Sequence, residues 1–167
     1  MPLKERIEQC GACHGADGNS QLENIPSLAG QPEFFIINQL ILMREGVRPI
    51  EQMAAFVKEL KDDEIQAVAA HFNKLTPRLE GAKPDPELVK QGQALSERLR
   101  CISCHMQDLS GDQQMPRLAK QRIDYMANAL KAYRDNKRAG ADTAMSAVIF
   151  GLNDAAIDAL AHYAASK

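Results

Sequence analysis

QCGACHG, residues 9–15, and RCISCHM, residues 100–106, hold all four cysteines of the chain, and their reading decides the fold. Two thiols spaced by two residues suit three chemistries: a redox dithiol, half of a zinc site, or covalent attachment of a c-type heme. A redox dithiol of the thioredoxin kind needs a βαβ setting, and no stretch of this chain shows the period of two that marks strands. A structural zinc site brings its two Cys pairs together from roughly 15–20 residues apart, whereas these lie a whole repeat apart. Heme attachment fits both motifs. One helical turn presents two sulfurs to the two vinyl groups on one porphyrin edge, and the imidazole that follows, His14 or His105, ligates the iron. With 4 His in 167 residues, a histidine after both CxxC pairs by chance is roughly a 1 in 1,700 event.

Outward from these motifs the chain is a duplication. IPSLAGQ (25–31) answers MPRLAKQ (115–121), and Phe35 and Leu40 answer Tyr125 and Leu130. Arg44 and Arg48 answer Arg134 and Arg138; Met53, Leu60 and Ile65 answer Met145, Leu152 and Ile157. The offset drifts from 91 at the cysteines through 90 to 92, which places length differences in loops. TPRLEGAKPDP (76–86), rich in proline, reads as the linker, so residues 1–80 and 81–167 are expected to form two domains.

The rest of the pattern is helical. Asp85-Pro86-Glu87 is a helix start, and Leu88, Leu95 and Leu99 keep one face up to Arg100. Asp62 or Asp63 is expected to cap a helix whose Ile65, Val68, Ala69 and Phe72 recur at helical spacing; Asn153 does so for Ile157, Leu160, Ala161 and Ala164. Residues 33–44 and 122–136 are the middle helices. The fold class is all-α.

Composition agrees with two small cofactor-stapled domains. Trp is absent and aromatics are 5%, so the large rings that usually fill a core are scarce. A buried porphyrin supplies that surface to each half. A net charge of -2 leaves no basic excess for nucleic acid, and no apolar run approaches the ~20 residues of a membrane span. The opening MPLKERIEQC reads as no export signal, so either one has been removed or the protein stays inside.

A low-spin electron-transfer heme takes a second axial ligand, usually Met or His. Duplication favours Met53 and Met145, equivalent by position. Met43 and Met126 read as core filler, Met115 as a packing residue equivalent to Ile25, and Met106 as too close to His105. His71 and His162 sit late in the last helix of each copy and read as ordinary histidines. A ligating imidazole normally donates its other N–H to a carbonyl, and Pro26 and Pro116 are the matching sites. Arg44, Arg48, Arg134 and Arg138 are candidate partners of the heme propionates.

With CxxCH, IPSLAG, a ligand-loop methionine and a capped last helix, all present twice, the chain resembles the diheme class I cytochromes c, most closely the cytochrome c4 family. The resemblance implies two tandem cytochrome c domains related by a pseudo-twofold axis, each wrapped around one of two covalently bound hemes c. It further implies a bacterial periplasmic location and electron transfer between redox protein partners, such as a dehydrogenase or respiratory complex and a terminal oxidase. With both irons six-coordinate, no open site remains for a substrate, which favours a carrier over an enzyme. Two alternatives are a cytochrome subunit of a dehydrogenase complex, like that of flavocytochrome sulfide dehydrogenase, and a diheme enzyme such as thiosulfate dehydrogenase. Two departures stand out: only nine residues precede Cys10, and Gly92 has no counterpart in the first copy.

Overall fold

The computed structural model of the chain describes residues 1–138, 140 and 143–167. It is helical, and among the described residues the extended backbone amounts to one isolated bridge, Asp112 with Met115. The helices are α1 (Leu3–His14), α2 (Glu33–Arg44), α3 (Glu51–Val57), α4 (Asp62–Asn73), α5 (Pro86–Leu99), α6 (Ile102–His105), α7 (Ile123–Arg134), α8 (Thr143–Val148) and α9 (Asp154–Ala165). In each half the helix before or through the cysteines packs on the last helix, and the middle helix packs on that last helix from another side.

Each half has its own core. In the first, Ile36 and Leu40 of α2 meet Val57 and Leu60, and Ile65, Val68, Ala69 and Phe72 of α4. In the second, Leu95, Met126, Leu130, Ile149, Ile157, Leu160 and Tyr163 do the same work. The burial of Phe72, Ile65 and Ile157 to near zero exposure is the helical spacing of the sequence made spatial.

Helix ends follow local chemistry. The Asp85 carboxylate accepts from the backbone N–H groups of Glu87 (2.9 Å) and Leu88 (3.1 Å), with Pro86 at the first helical position. Asn153 accepts from Ala156 N–H at 2.8 Å. The start of α4 differs from expectation: the cap residue is Lys61, and Asp62 and Asp63 fall in the first turn. Glu64 reaches back to the Lys61 N–H at 3.0 Å, and the acidic first turn suits the positive end of the helix dipole. The middle helix of the second copy, expected over 122–136, spans Ile123–Arg134.

The two copies differ at the cysteines. In the first, α1 runs unbroken through Cys10 and Cys13 to His14. In the second, α5 stops at Leu99, Arg100 turns left-handed (φ 57°), and the short α6 carries Cys104 and His105. Gly92 lets α5 lie directly on α9. A Cβ there would collide with the Ala159 carbonyl and lie 2.7 Å from Tyr163 Cβ.

The halves are joined by a reciprocal pair of clamps. The Gln121 side chain accepts from Ser27 N–H (2.9 Å) and donates to Ser27 C=O (3.0 Å). Gln31 accepts from Arg117 N–H (2.9 Å) and donates to Arg117 C=O (2.9 Å). Gln31 and Gln121 are equivalent in the repeat, as are Ser27 and Arg117, so the two clamps are exchanged by the pseudo-twofold relation. All four residues are buried. Arg122 adds a bond to the Ser20 carbonyl (3.1 Å), and Asn19 holds the linker through Thr76 C=O (3.1 Å) and Arg78 N–H (2.7 Å).

Gly92→Ala is expected to lower stability by about 2 kcal/mol, the overpacking cost exceeding the gain in helix propensity. Thermal denaturation followed by circular dichroism at the helical band checks this. Gln121→Ala leaves both Ser27 backbone groups buried without partners and is expected to cost roughly 2–4 kcal/mol of interdomain coupling. The signature is separation of a single melting transition into two, with faster proteolysis within residues 76–86.

Candidate heme-binding site

The loop after each CxxCH is folded so that one proline carbonyl faces the histidine. In the first copy Gly15 leaves α1 at φ 86°, where a Cβ would strike the Asn19 backbone, and the Gly18 carbonyl accepts from both Leu28 N–H (2.8 Å) and Ala29 N–H (2.9 Å). Ser20 ties the loop to the motif, donating from Oγ to the Cys13 carbonyl (3.1 Å), while its N–H donates to Ser27 Oγ (3.0 Å). The second copy repeats the turn with Leu109, whose carbonyl accepts from Leu118 (2.9 Å) and Ala119 (3.1 Å). Met106 there occupies the left-handed position (φ 71°) that Gly15 holds in the first.

The outcome is the same contact twice: His14 Nδ1 lies 2.8 Å from Pro26 O, and His105 Nδ1 lies 2.9 Å from Pro116 O. A carbonyl only accepts, so each ring carries its proton on Nδ1 and keeps a lone pair on Nε2. Both rings are buried, and His105 Nε2 is enclosed without any hydrogen-bond partner. Burial pushes both imidazoles below the usual histidine range, with the proline carbonyl opposing in part, so they are neutral at neutral pH.

All four cysteines are free thiols, Cys10 and Cys101 half-buried, Cys13 and Cys104 exposed. Burial pushes the Cys10 thiol upward. Among the described residues no three His, Cys, Asp or Glu side chains group as metal ligands, so the thiols find no partners for a zinc site. A neutral imidazole with an unpartnered buried lone pair beside two free thiols fits a porphyrin attached through sulfur and ligated through Nε2.

Met53 lies on α3 and Met145 on α8, half-buried against the cores of their own domains. Met126 is core and Met43 packs against the first core. Met115 is half-buried and Met106 is exposed. His162 serves structure: its Nδ1 accepts from Asp85 N–H at 2.9 Å. His71 stands edge-on to Phe72, ring centroids 5.1 Å apart.

The four arginines grouped in the sequence separate into two kinds. Arg44 is committed to Asp62 (2.7 Å), Glu45 (2.8 Å) and the Leu60 carbonyl (3.0 Å). Arg134 repeats this with Asp154 (2.6 Å), Asp135 (2.8 Å) and the Leu152 carbonyl (3.1 Å). Arg44 and Arg134 thus each clasp the end of the middle helix to the start of the last, closing the loop that carries the methionine.

Arg48 and Arg138, one from each copy, instead come together between the domains. Arg48 donates to Gln39 Oε1 (2.6 Å) and meets Tyr125 of the other half. Arg138 stacks over the Tyr133 ring at 4.8 Å and also meets Tyr125. Burial, reinforced by repulsion from Arg138, pulls Arg48 below the usual guanidinium range. Burial acts on Arg138 in the same sense, but the phenols of Tyr125 and Tyr133 outweigh it and hold it up. Neither guanidinium makes an ion pair among the described residues. Tyr125, Tyr133 and Gln39 escaped the sequence reading because their equivalents, Phe35, Met43 and Ala129, lack the polar group. The Gln31 and Gln121 clamps had a signal in the sequence, a glutamine kept at the same place in both copies.

The family model described as cytochrome c matches residues 89–166, and that described as cytochrome c oxidase, cbb3-type, subunit III matches residues 5–72. Cytochrome c4 of Pseudomonas aeruginosa is 32% identical over 92% of this chain and 81% of its own length. A thiosulfate dehydrogenase electron acceptor from Thiomonas intermedia is 31% identical over 95% of this chain and 78% of its own. The crystal structure of reduced cytochrome c4 from Pseudomonas stutzeri superposes with a TM-score of 0.86 at 30% identity, covering 97% of this chain and 96% of that one. With the duplicated histidine–proline contact and the paired free thiols in each half, these matches show that the chain belongs to the cytochrome c4 family, the diheme electron-transfer cytochromes with covalently bound heme c.

Proposed function

We propose that the protein is a periplasmic electron carrier whose chain divides near residue 81 into two monoheme units, and that it performs no substrate chemistry of its own. The observation that carries this reading is the duplicated histidine with its proton fixed on Nδ1 and its Nε2 lone pair free. Cys10, Cys13 and His14 would hold one heme, and Cys101, Cys104 and His105 the other, with Met53 and Met145 as the opposite ligands. Heme bound in this way supplies a one-electron Fe(III)/Fe(II) couple, which the soft thioether biases toward the reduced form.

The chain's own contribution is to orient and enclose. The proline carbonyls fix each imidazole and raise its donor strength. The Arg44 and Arg134 clasps hold the methionine-bearing loops against their domains. Arg48 and Arg138 would meet the propionates, since two cations gathered at the interface with only neutral partners among the described residues favour an anionic group there. No helix among the described residues is long and apolar enough to cross a membrane. The likeness to a thiosulfate dehydrogenase electron acceptor favours a dehydrogenase of inorganic sulfur compounds as the electron donor.

In the heme-loaded protein, Met53→Ala and Met145→Ala are each expected to remove about half of the weak sulfur-to-iron absorption band and to lower one midpoint potential. Retention of the full band in either variant rejects that methionine as ligand. Arg48→Gln is expected to lower a midpoint potential by on the order of tens of millivolts, because a nearby cation favours the less positive iron. A potentiometric titration reads this directly, and an unchanged pair of potentials removes Arg48 from the heme environment.

A further inference from the structure

The backbone amide between Pro26 and Ser27 is used at both ends, and the two ends face different domains. Its carbonyl accepts from His14 Nδ1–H (2.8 Å), and its N–H donates to Gln121 Oε1 of the other half (2.9 Å). The amide between Pro116 and Arg117 repeats this in the opposite direction. Its carbonyl accepts from His105 Nδ1–H (2.9 Å), and its N–H donates to Gln31 Oε1 (2.9 Å). One planar, conjugated unit thus joins each of these imidazoles to a glutamine of the opposite domain. Each glutamine also donates to the carbonyl of the residue it accepts from, Ser27 (3.0 Å) or Arg117 (2.9 Å), which keeps the amide from turning away. Ser27, Gln31, Arg117 and Gln121 are buried, so bulk water does not compete for these bonds.

Hydrogen bonds polarise the groups that pass them on. An acceptor on the amide N–H draws electron density toward the amide oxygen. That oxygen then binds the imidazole Nδ1–H more strongly, the ring gains anionic character, and Nε2 becomes a better donor to iron. A better donor favours Fe(III). The two bridges are not equal, because Gln121 Oε1 also accepts from Arg122 N–H at 2.9 Å. The equivalent position in the first copy is Pro32, which has no N–H, and among the described residues Gln31 Oε1 accepts from Arg117 alone. An oxygen that accepts twice gives less to each donor, so the bridge to His105 is the stronger.

We infer that Gln121 and Gln31 are positioning residues that tune iron across the domain boundary, Gln121 acting on the centre of His14 and Gln31 on that of His105, each through one shared amide. Docking of the two halves is thereby linked to the reduction potential of both. The inference rests on the electron-carrier reading.

The test uses the heme-loaded full chain and the variants Gln121→Met and Gln31→Met, which keep side-chain length and remove the acceptor. With the histidines isotope-labelled at nitrogen and the protein fully reduced, each ring N–H proton is resolved by NMR and assigned through its own backbone. Gln121→Met is expected to move the His14 Nδ1–H resonance upfield and leave that of His105 in place. Gln31→Met is expected to do the reverse, with the larger shift. Potentiometric titration is expected to show a different midpoint potential raised in each variant, by the equivalent of an about two- to threefold higher Fe(II)/Fe(III) ratio at fixed applied potential. The direction separates this role from a structural one: a loosened interface admits water, which favours the more charged ferric form and lowers the potential. Gln121→Glu retains an acceptor oxygen and is expected to keep the His14 resonance downfield. Asn128→Ala removes a side-chain bond to Asn24 across the same interface that involves neither amide, and is expected to move neither resonance. The inference is rejected if neither glutamine variant moves a resonance, if each moves the imidazole of its own domain, or if the potentials fall. It is equally rejected if Gln121→Glu behaves as Gln121→Met, or if Asn128→Ala shifts the resonances as much. Two reversible one-electron steps in the wild type leave the carrier reading standing in each of those events. Absence of any reversible step in the wild type overturns both.

Discussion

Each half of this protein depends on one hydrogen bond, from a buried imidazole Nδ1–H to a proline carbonyl. The bond selects the tautomer, turns Nε2 inward and sets the ring plane. The neighbouring turns serve to hold it: the shared carbonyl acceptors at Gly18 and Leu109, and in the first copy Ser20 reaching back to Cys13. Proline suits the acceptor position because it has no N–H of its own to satisfy. The preceding residues, Ile25 and Met115, are restricted toward extended backbone by the proline that follows.

The second constraint is the interface. Glutamine side chains reading the backbone of the opposite domain in both directions specify register more sharply than apolar contact does, since a shift of one residue leaves buried donors and acceptors unpaired. The interface also gathers Arg48 and Arg138 beside Tyr125 and Tyr133. Symmetry is kept in the clamps and lost in the phenols, which come from the second copy alone. The two halves thus share an architecture while differing in their surroundings.

Much of this was legible in the sequence because it was written twice. The CxxCH motifs, Pro26 with Pro116, and the last helices with Asn153 as a cap followed from equivalence between copies. Arg44 and Arg134 are a pair that closes loops, and their partners Asp62 and Asp154 lie 18 and 20 residues away, beyond any local pattern. The Lys61 start of α4 lies one or two residues before the expected Asp62 or Asp63, because an acidic first turn and an acidic cap look alike in sequence. The Arg48–Tyr125 meeting joins different domains, and its phenol has no counterpart in the first copy, so neither periodicity nor repetition signals it.

The arginine clasps also explain how the two halves came to have methionine segments of different length. Each works as a stitch across the neck of a bulge, with both anchors on rigid helices. The slack it encloses spans 18 residues in one half and 20 in the other, a difference worth only ~0.1 kcal/mol of chain entropy. Length inside the stitch is therefore free to drift without disturbing the scaffold, while Val57, Leu60 and Ile149 keep each segment seated on its core.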